Sequence, residues 1–240
     1  MTEERHQALK NLETALSHPF ADLSLLDHAL VHRSYVNENP ACSFGDNERM
    51  EFLGDAVLEL CITDLLMKTF PDYSEGQLSK LRASVVNEQP LADLARKLEI
   101  GRYLLLGKGE ESSGGRSKTS ILADTLEAVI AAVYLDGGFD RAREVVRGLF
   151  SLLIVEGSRN LTYRDYKTAL QEYSQNRFKE IPSYALIGEY GPDHDKIFES
   201  RLSLSGILET TGRGKSKKEA EQNAAHAALD ALMQNSDEQG

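Results

Sequence analysis

Six carboxylates in this 240-residue chain stand where their type and spacing could serve chemistry. Glu48, Glu51, Asp55 and Glu59 fall at i, i+3, i+7 and i+11, which puts them on one stripe of a helix. Asp124 and Glu127 are three residues apart, hence on one face of a second helical stretch. By spacing alone the first set also fits a surface helix with solvated acids, since Asp and Glu are rarely buried unpaired. The second set is harder to explain that way, because nearly every neighbour is Ala, Val, Ile or Leu. A carboxylate buried among such residues needs a partner or a metal ion.

Two helices must position these acids. Residues 47–60 hold helix formers and no proline, and an apolar tail follows at Cys61, Ile62 and 65–67. Asp46 or Asn47 is the predicted N-cap. Met50, Leu53, Val57 and Leu60 form an apolar stripe, with Phe52, Ala56 and Ile62 between. Apolar residues on most of the circumference predict a buried helix. The second helix is predicted over 119–135 and stops at Asp136-Gly137-Gly138.

The stretches around them read as further helix: 3–18, 23–35, 77–98 (one or two helices, broken near 87–90) and an amphipathic 139–157. His28 and His32 are four apart on the second of these, a metal-ligand spacing. No third ligand is close, so the pair reads as structural. Glu75 falls at a helix start, where the dipole alone explains a carboxylate. Residues 107–118 are a loop by composition. No G-x-x-x-x-G-K-[ST] string is present, which argues against a nucleotide site. A flexible loop touching a nucleic-acid backbone and a simple linker fit it equally.

Composition sets wider limits. Hydrophobic residues make up 41%, enough for a core, and the length suits one large or two small domains. The two cysteines, Cys42 and Cys61, have no metal-ligand company, which predicts a reducing compartment and no disulfide framework. No signal peptide is evident, and charge interrupts every apolar run before membrane-spanning length. A cytoplasmic protein without a membrane partner is expected. Net charge is −11, but it is uneven. Residues 1–157 carry 16 Lys and Arg against 25 Asp and Glu, a net −9; residues 158–240 carry 11 against 13, a net −2. An acidic chain can still hold a polyanion through bound cations and local basic patches.

After a short polar stretch, the pattern changes at Asp165. A helix is predicted over 166–175, then strands near 183–190, 196–204 and 207–211, separated by turn residues. A last helix starts at Ser216, with Glu219 completing a capping box. Lys215, Lys217 and Lys218 crowd that start. Cations there oppose the helix dipole, and an anion docked on the free amides would reverse the sign. The alternative is a solvated lysine face, the usual state of lysine.

Residues 47–58, Asn-Glu-Arg-Met-Glu-Phe-Leu-Gly-Asp-Ala-Val-Leu, resemble the signature motif of ribonuclease III. Residues 29–34, Ala-Leu-Val-His-Arg-Ser, are similar to another hallmark of that family, and residues 119–135 to its second acidic motif. Residues 212–221 follow Gly-x-Gly-x-Ser-Lys-Lys-x-Ala-Glu, which resembles the phosphate-binding signature of double-stranded-RNA-binding domains. The resemblance covers nearly the whole chain. It implies an all-α endonuclease domain over 1–157, a linker over 158–164, a small α+β (α-β-β-β-α) double-stranded-RNA-binding domain over 165–233, and a tail over 234–240.

The resemblance also implies function. The expected activity is Mg2+-dependent cleavage of both strands of double-stranded RNA, with Mn2+ able to substitute. It leaves 5′-phosphate and 3′-hydroxyl ends and serves rRNA and other precursor processing. Glu51, Asp124 and Glu127 would contact metal, and Asp55 would act in or just behind that shell; Asp55 and Glu127 are the catalytic candidates. Without cations such a cluster repels itself and part of it stays protonated. One metal ion can activate water, and a second, about 3.5–4 Å away, can stabilise the leaving oxygen. Glu48 and Glu75 are accessory candidates. Gln171 and His194 would face the RNA minor groove, and Lys215, Lys217 and Lys218 would hold phosphates. Family members form homodimers through the endonuclease domain, which supplies two sites for two strands.

Two other classes compete. A non-catalytic duplex-RNA binder would keep Lys217 and Lys218 and lose the acids, yet all four are present. A di-iron bundle needs Glu-x-x-His pairs, and neither Glu51 nor Asp124 is followed by His at i+3.

Overall fold

Short polar side chains start most helices of the first part. Thr2 caps α1 (Glu3–Leu16), Asp22 caps α2 (Leu23–Ala29), and the His32 ring caps α3 (Arg33–Glu38), each accepting a backbone N–H. Ser74 and Gln77 form a full capping box on α5 (Glu75–Val85), and Asn87 caps α6 (Glu88–Lys97). Between α3 and α5 runs α4 (Glu48–Thr69). The chain then passes through a short α7 (Lys108–Ser112) into α8 (Thr119–Arg164), which is broken at Gly138, where φ is 75°. This computed structural model describes residues 1–40, 45–164, 166–192, 195–204 and 206–237. It divides into two units, Met1–Gly157 and Ser158–Gly240. Among the described residues, no helix is long and apolar enough to cross a membrane.

The first half of α8 is the core of the first unit. From Ile121 to Val133 every residue is buried except Asp124 and Glu127, which are half-buried. The predicted stop holds as a kink: Gly138 takes the left-handed φ that an L-residue resists. Just before it, the Asp136 carboxylate accepts from His18 Nε2 (3.0 Å) and from the amides of Ala21 (3.1 Å) and Asp22 (2.8 Å). That tie fixes the α1–α2 turn against α8.

Several expectations change here. The stretch 23–35 is not one helix. It breaks at 30–32, where Val31 bridges Leu105 and the His32 amide donates to the Leu105 carbonyl. His28 and His32 therefore lie on different sides of a break. Residues 107–118 are not a loose loop. They fold into α7 and a 3-10 turn (Gly115–Ser117), tied to α3 by the Gly107 amide on Ser34 Oγ (2.9 Å) and the Lys108 amide on Glu38 (2.9 Å). Arg116 adds bonds to the carbonyls of Gly101 and Leu104. Residues 158–164, expected as a linker, carry helical backbone, consistent with the absence of Gly and Pro there.

Most of α4 also departs from the buried reading. Met50, Val57, Leu58, Cys61, Ile62 and Leu66 are buried. Phe52 is 82% exposed, Leu60 56% and Met67 62%. The helix is apolar on most of its circumference, yet it buries only part of that surface within a single chain.

The second unit is α9 (Tyr166–Phe178), β1 (Ser183–Tyr190), β2 (Ile197–Leu204), β3 (Leu208–Gly214) and α10 (Lys217–Asp237). The strands form one antiparallel sheet in the order β1-β2-β3. Leu170 of α9, Leu202 and Leu204 of β2, and Ala224, Ala225, Ala228, Leu229 and Leu232 of α10 make the core. Gly212 lets α10 approach closely: a Cβ there would overlap the backbone of Ala220 and Ala224. The predicted α-β-β-β-α order holds, with α9 three residues and β3 two residues longer than expected.

Candidate active site

The start of α4 is held by the segment before it. The buried Asn47 side chain donates to the Ala29 carbonyl (3.0 Å), and its amide donates to Val31 (2.9 Å). Asn47 is thus committed to α2, and the side-chain cap comes from Asp46, which accepts from the Glu48 amide (3.2 Å). Seven residues into the helix sits Gly54. A Cβ on Gly54 would fall inside the van der Waals envelope of the Glu127 carbonyl. The backbones of α4 and α8 therefore touch at this point. Glu51 and Asp55 flank the contact on one helix, and Asp124 and Glu127 on the other.

Carboxylate oxygens of Glu51, Asp124 and Glu127 lie within 4.8 Å of one another. Burial raises the Glu51 carboxyl above the usual range, and the charges of Asp124, Glu48 and Asp55 add to it. Burial also raises Asp124, with Glu88 adding and His32 opposing. Glu127 is affected most: burial, then Asp55, Asp124 and Glu51, push it to about 8. Three acids held together against their own repulsion, with only oxygen donors, suit a hard divalent cation. Mg2+ binds oxygen at about 2.0–2.1 Å, so two oxygens on one ion lie no more than about 4.2 Å apart. Oxygens within 4.8 Å of one another are close to that limit.

The cluster opens into a cleft of about 340 Å3. Glu51 and Asp124 line it with His32, Arg33, Glu48, Glu110 and Lys118. Glu48 is exposed and pairs with Arg33 at 3.2 Å. Asp55 is exposed and outside the tight trio, although its charge acts on Glu51 and Glu127. Glu75 lies apart from them. Its carboxylate accepts from Ser79 Oγ (2.8 Å) and lines a separate, more apolar cleft with Thr63, Met67 and Arg82. His32 stands out in the sequence only through its four-residue spacing from His28, and Glu110 and Lys118 carry no such signal. The latter two sit in a segment without periodicity, and only the folded tie to α3 brings them to the acids.

In the second unit, Gln171 is exposed on α9, and Lys215, Lys217 and Lys218 are exposed at the start of α10. The Glu219 amide donates to Ser216 Oγ (3.1 Å), and the Glu219 carboxylate accepts from the Lys215 amide (2.8 Å). Lys215 approaches Asp195 (3.6 Å) and Lys217 approaches Glu189 (3.4 Å). Exposed pairs of this kind are worth about 0–1 kcal/mol, so a phosphate can displace them. His194 lies outside the described residues.

The raised Glu127 carboxyl has a measurable consequence. In the unfolded chain it titrates near its ordinary value of 4.5, and in the folded chain near about 8. Between those values the folded state binds more protons, so stability falls as pH rises. With metal chelated, the melting temperature should fall from pH 5.5 to pH 8 more steeply in the wild type than in Glu127→Gln. Equal slopes in thermal melts would mean that the carboxyl is not held protonated.

A helical unit whose carboxylates meet in a cleft, followed by an α-β-β-β-α unit with lysines at a helix start, is the arrangement of a nuclease joined to an RNA-binding module. Family comparison agrees on both halves. Residues 22–152 match the family described as Ribonuclease-III-like, and residues 166–232 match the double-stranded RNA binding motif. Ribonuclease 3 of Syntrophobacter fumaroxidans is 50% identical over 232 residues, covering 95% of this chain and 96% of that one. Ribonuclease 3 of Thermobifida fusca is 53% identical over 208 residues, covering 87% and 85%. Among solved structures, the nuclease domain of ribonuclease III from Campylobacter jejuni matches with a TM-score of 0.56 and 42% identity. It covers 60% of this chain and 96% of that domain, and the work on it concerns flexibility in a region involved in dimer formation. The chain belongs to the ribonuclease III family.

Proposed function

We propose that this enzyme cuts both strands of double-stranded RNA with Mg2+, or Mn2+ in its place, leaving 5′-phosphate and 3′-hydroxyl ends on rRNA and other structured precursors in the cytoplasm. The observation that carries the reading is the meeting of Glu51, Asp124 and Glu127 at the α4–α8 contact. These three would hold the cation. When bound, it supplies an activated water and neutralises charge at the leaving oxygen. Asp55 stands beside the trio and would orient the water or ligands around it. Glu48 and Glu75 remain accessory candidates. The domain limits proposed are 1–157 and 165–233, with 234–240 as a tail.

The second unit would read shape rather than sequence, since A-form RNA presents 2′-hydroxyls in a shallow minor groove. Gln171 and His194 would face that groove, and Lys215, Lys217 and Lys218 would hold phosphates. A homodimer through the first unit would place two sites on two strands. The exposed Phe52, Leu60 and Met67 of α4 support this, because an apolar face of that kind marks an interaction surface. The test is incubation with a long duplex RNA, with and without Mg2+, followed by end-group analysis. Cleavage that ignores chelation, or leaves 5′-hydroxyl ends, contradicts the reading.

The lysines allow a separate check. Lys217→Ala with Lys218→Ala should weaken binding to all duplexes alike and make the salt slope shallower by roughly one unit per lost contact. The cations oppose the dipole of α10, so melting of the protein should not fall. An unchanged affinity and slope would identify the lysines as a solvated face.

A further inference from the structure

The His32 ring has one nitrogen fully committed. Nδ1 accepts from the Ser34 amide (3.2 Å) and lies 2.8 Å from Ser34 Oγ. A backbone amide can only donate, so Nδ1 carries no proton. Ser34 Oγ in turn accepts from the Gly107 amide (2.9 Å), which leaves its own hydrogen for Nδ1. Two donors therefore fix the tautomer, and the ring proton sits on Nε2. Burial holds His32 below the ordinary histidine range, against the pull of Glu110, Glu48 and Asp124. The ring is neutral, and its Nε2–H makes no hydrogen bond among the described residues. It lines the same cleft as Glu51 and Asp124. The cations of that cleft are already paired: Lys118 with Glu110 and Ser113, and Arg33 with Glu48. His32 thus brings an uncommitted donor to a cleft dominated by acids.

We propose that His32 is a substrate-positioning residue: its Nε2–H donates a hydrogen bond to a non-bridging phosphate oxygen of the RNA strand lying in the cleft. The proposal rests on the reading of this cleft as the cleavage site. A neutral donor suits the place. It holds the phosphate without a second positive charge that would compete with the metal for the carboxylates, and its fixed tautomer costs no reorganisation. The same ring caps α3, so a purely structural role must be separated from it.

His32→Asn makes that separation. Asparagine is a strong N-cap and keeps the acceptor for the Ser34 amide, but it cannot place a donor where Nε2–H stands. Melting temperature and duplex affinity should match the wild type, while kcat at saturating RNA and Mg2+ falls roughly 10- to 100-fold. Cleavage within threefold of wild type would reduce His32 to a cap and overturn the proposal. Long-range 1H–15N correlation spectra of the wild-type protein, free of RNA and metal, give a readout without activity. The Nε2–H tautomer is expected at pH 7; a proton on Nδ1 overturns the proposal even if the variant does not fold. Wild type that fails to cut duplex RNA would instead contradict the assignment of function and leave the tautomer result standing.

Discussion

Glu127→Gln is expected to lower cleavage at least about 10³-fold, a barrier increase of about 4 kcal/mol, while duplex affinity stays within about twofold. Glutamine keeps the size and one carbonyl oxygen, so packing in α8 should survive. It removes the negative charge from the member of the trio under greatest strain, the one pushed to about 8. A cation relieves that strain, and without the charge much of its hold is lost. Binding to RNA should persist because the residues proposed to grip the duplex lie on the second unit. The variant should also be more stable than wild type at pH 8 without metal, for the reason its melting slope should be flatter. Rates within tenfold of wild type at saturating Mg2+ would remove Glu127 from the site.

Gly54→Ala is expected to be nearly as damaging, for a reason in the backbone. In a helix interior this change ordinarily stabilises by up to about 1 kcal/mol. Here the added methyl meets the Glu127 carbonyl, and α4 must move away from α8. Overpacking of this kind costs about 1–3 kcal/mol, or several degrees of melting temperature at roughly 2–4 °C per kcal/mol. Activity should fall further, by about 10²-fold, because a displacement near 1 Å separates Glu51 from Asp124 and Glu127. Gly148→Ala is the control: beyond its own stretch of helix, no atom of the described residues lies within 4 Å of the added Cβ, so it should be neutral or slightly stabilising. Equal behaviour of the two variants would mean that the helices do not touch at Gly54.

Much of this architecture was legible in the sequence where one physical signal dominated. The acids at 124 and 127 stood out because everything around them was apolar, and they are the only residues from Ile121 to Val133 that are not buried. The order of the second unit followed from strand-like segments separated by turn residues. Signals that depend on contacts were not readable. The apolar circumference of α4 implied burial, but Phe52 and Leu60 face outward, because pattern reports hydrophobicity and not the identity of its partner. The break at 30–32 comes from a bridge to Leu105, more than seventy residues away, which no local rule contains. The segment 107–118 looked loose by composition and is held by Ser34 and Glu38. That tie brings Glu110 and Lys118 to the cleft and leaves His32 turned toward the acids. Asp55 shared the stripe of Glu51 by helical arithmetic, yet one more turn carries it into solvent and out of the tight trio.

Anomalous diffraction from crystals of the wild-type protein grown with Mn2+, and compared with Glu127→Gln, tests the metal cluster most directly. The expected result is a strong peak within about 2.0–2.4 Å of oxygens from Glu51, Asp124 and Glu127, lost or much weakened in the variant. Mn2+ bound elsewhere on the chain, with these three carboxylates left without a cation at millimolar metal, would contradict the assignment of the α4–α8 contact as the catalytic centre.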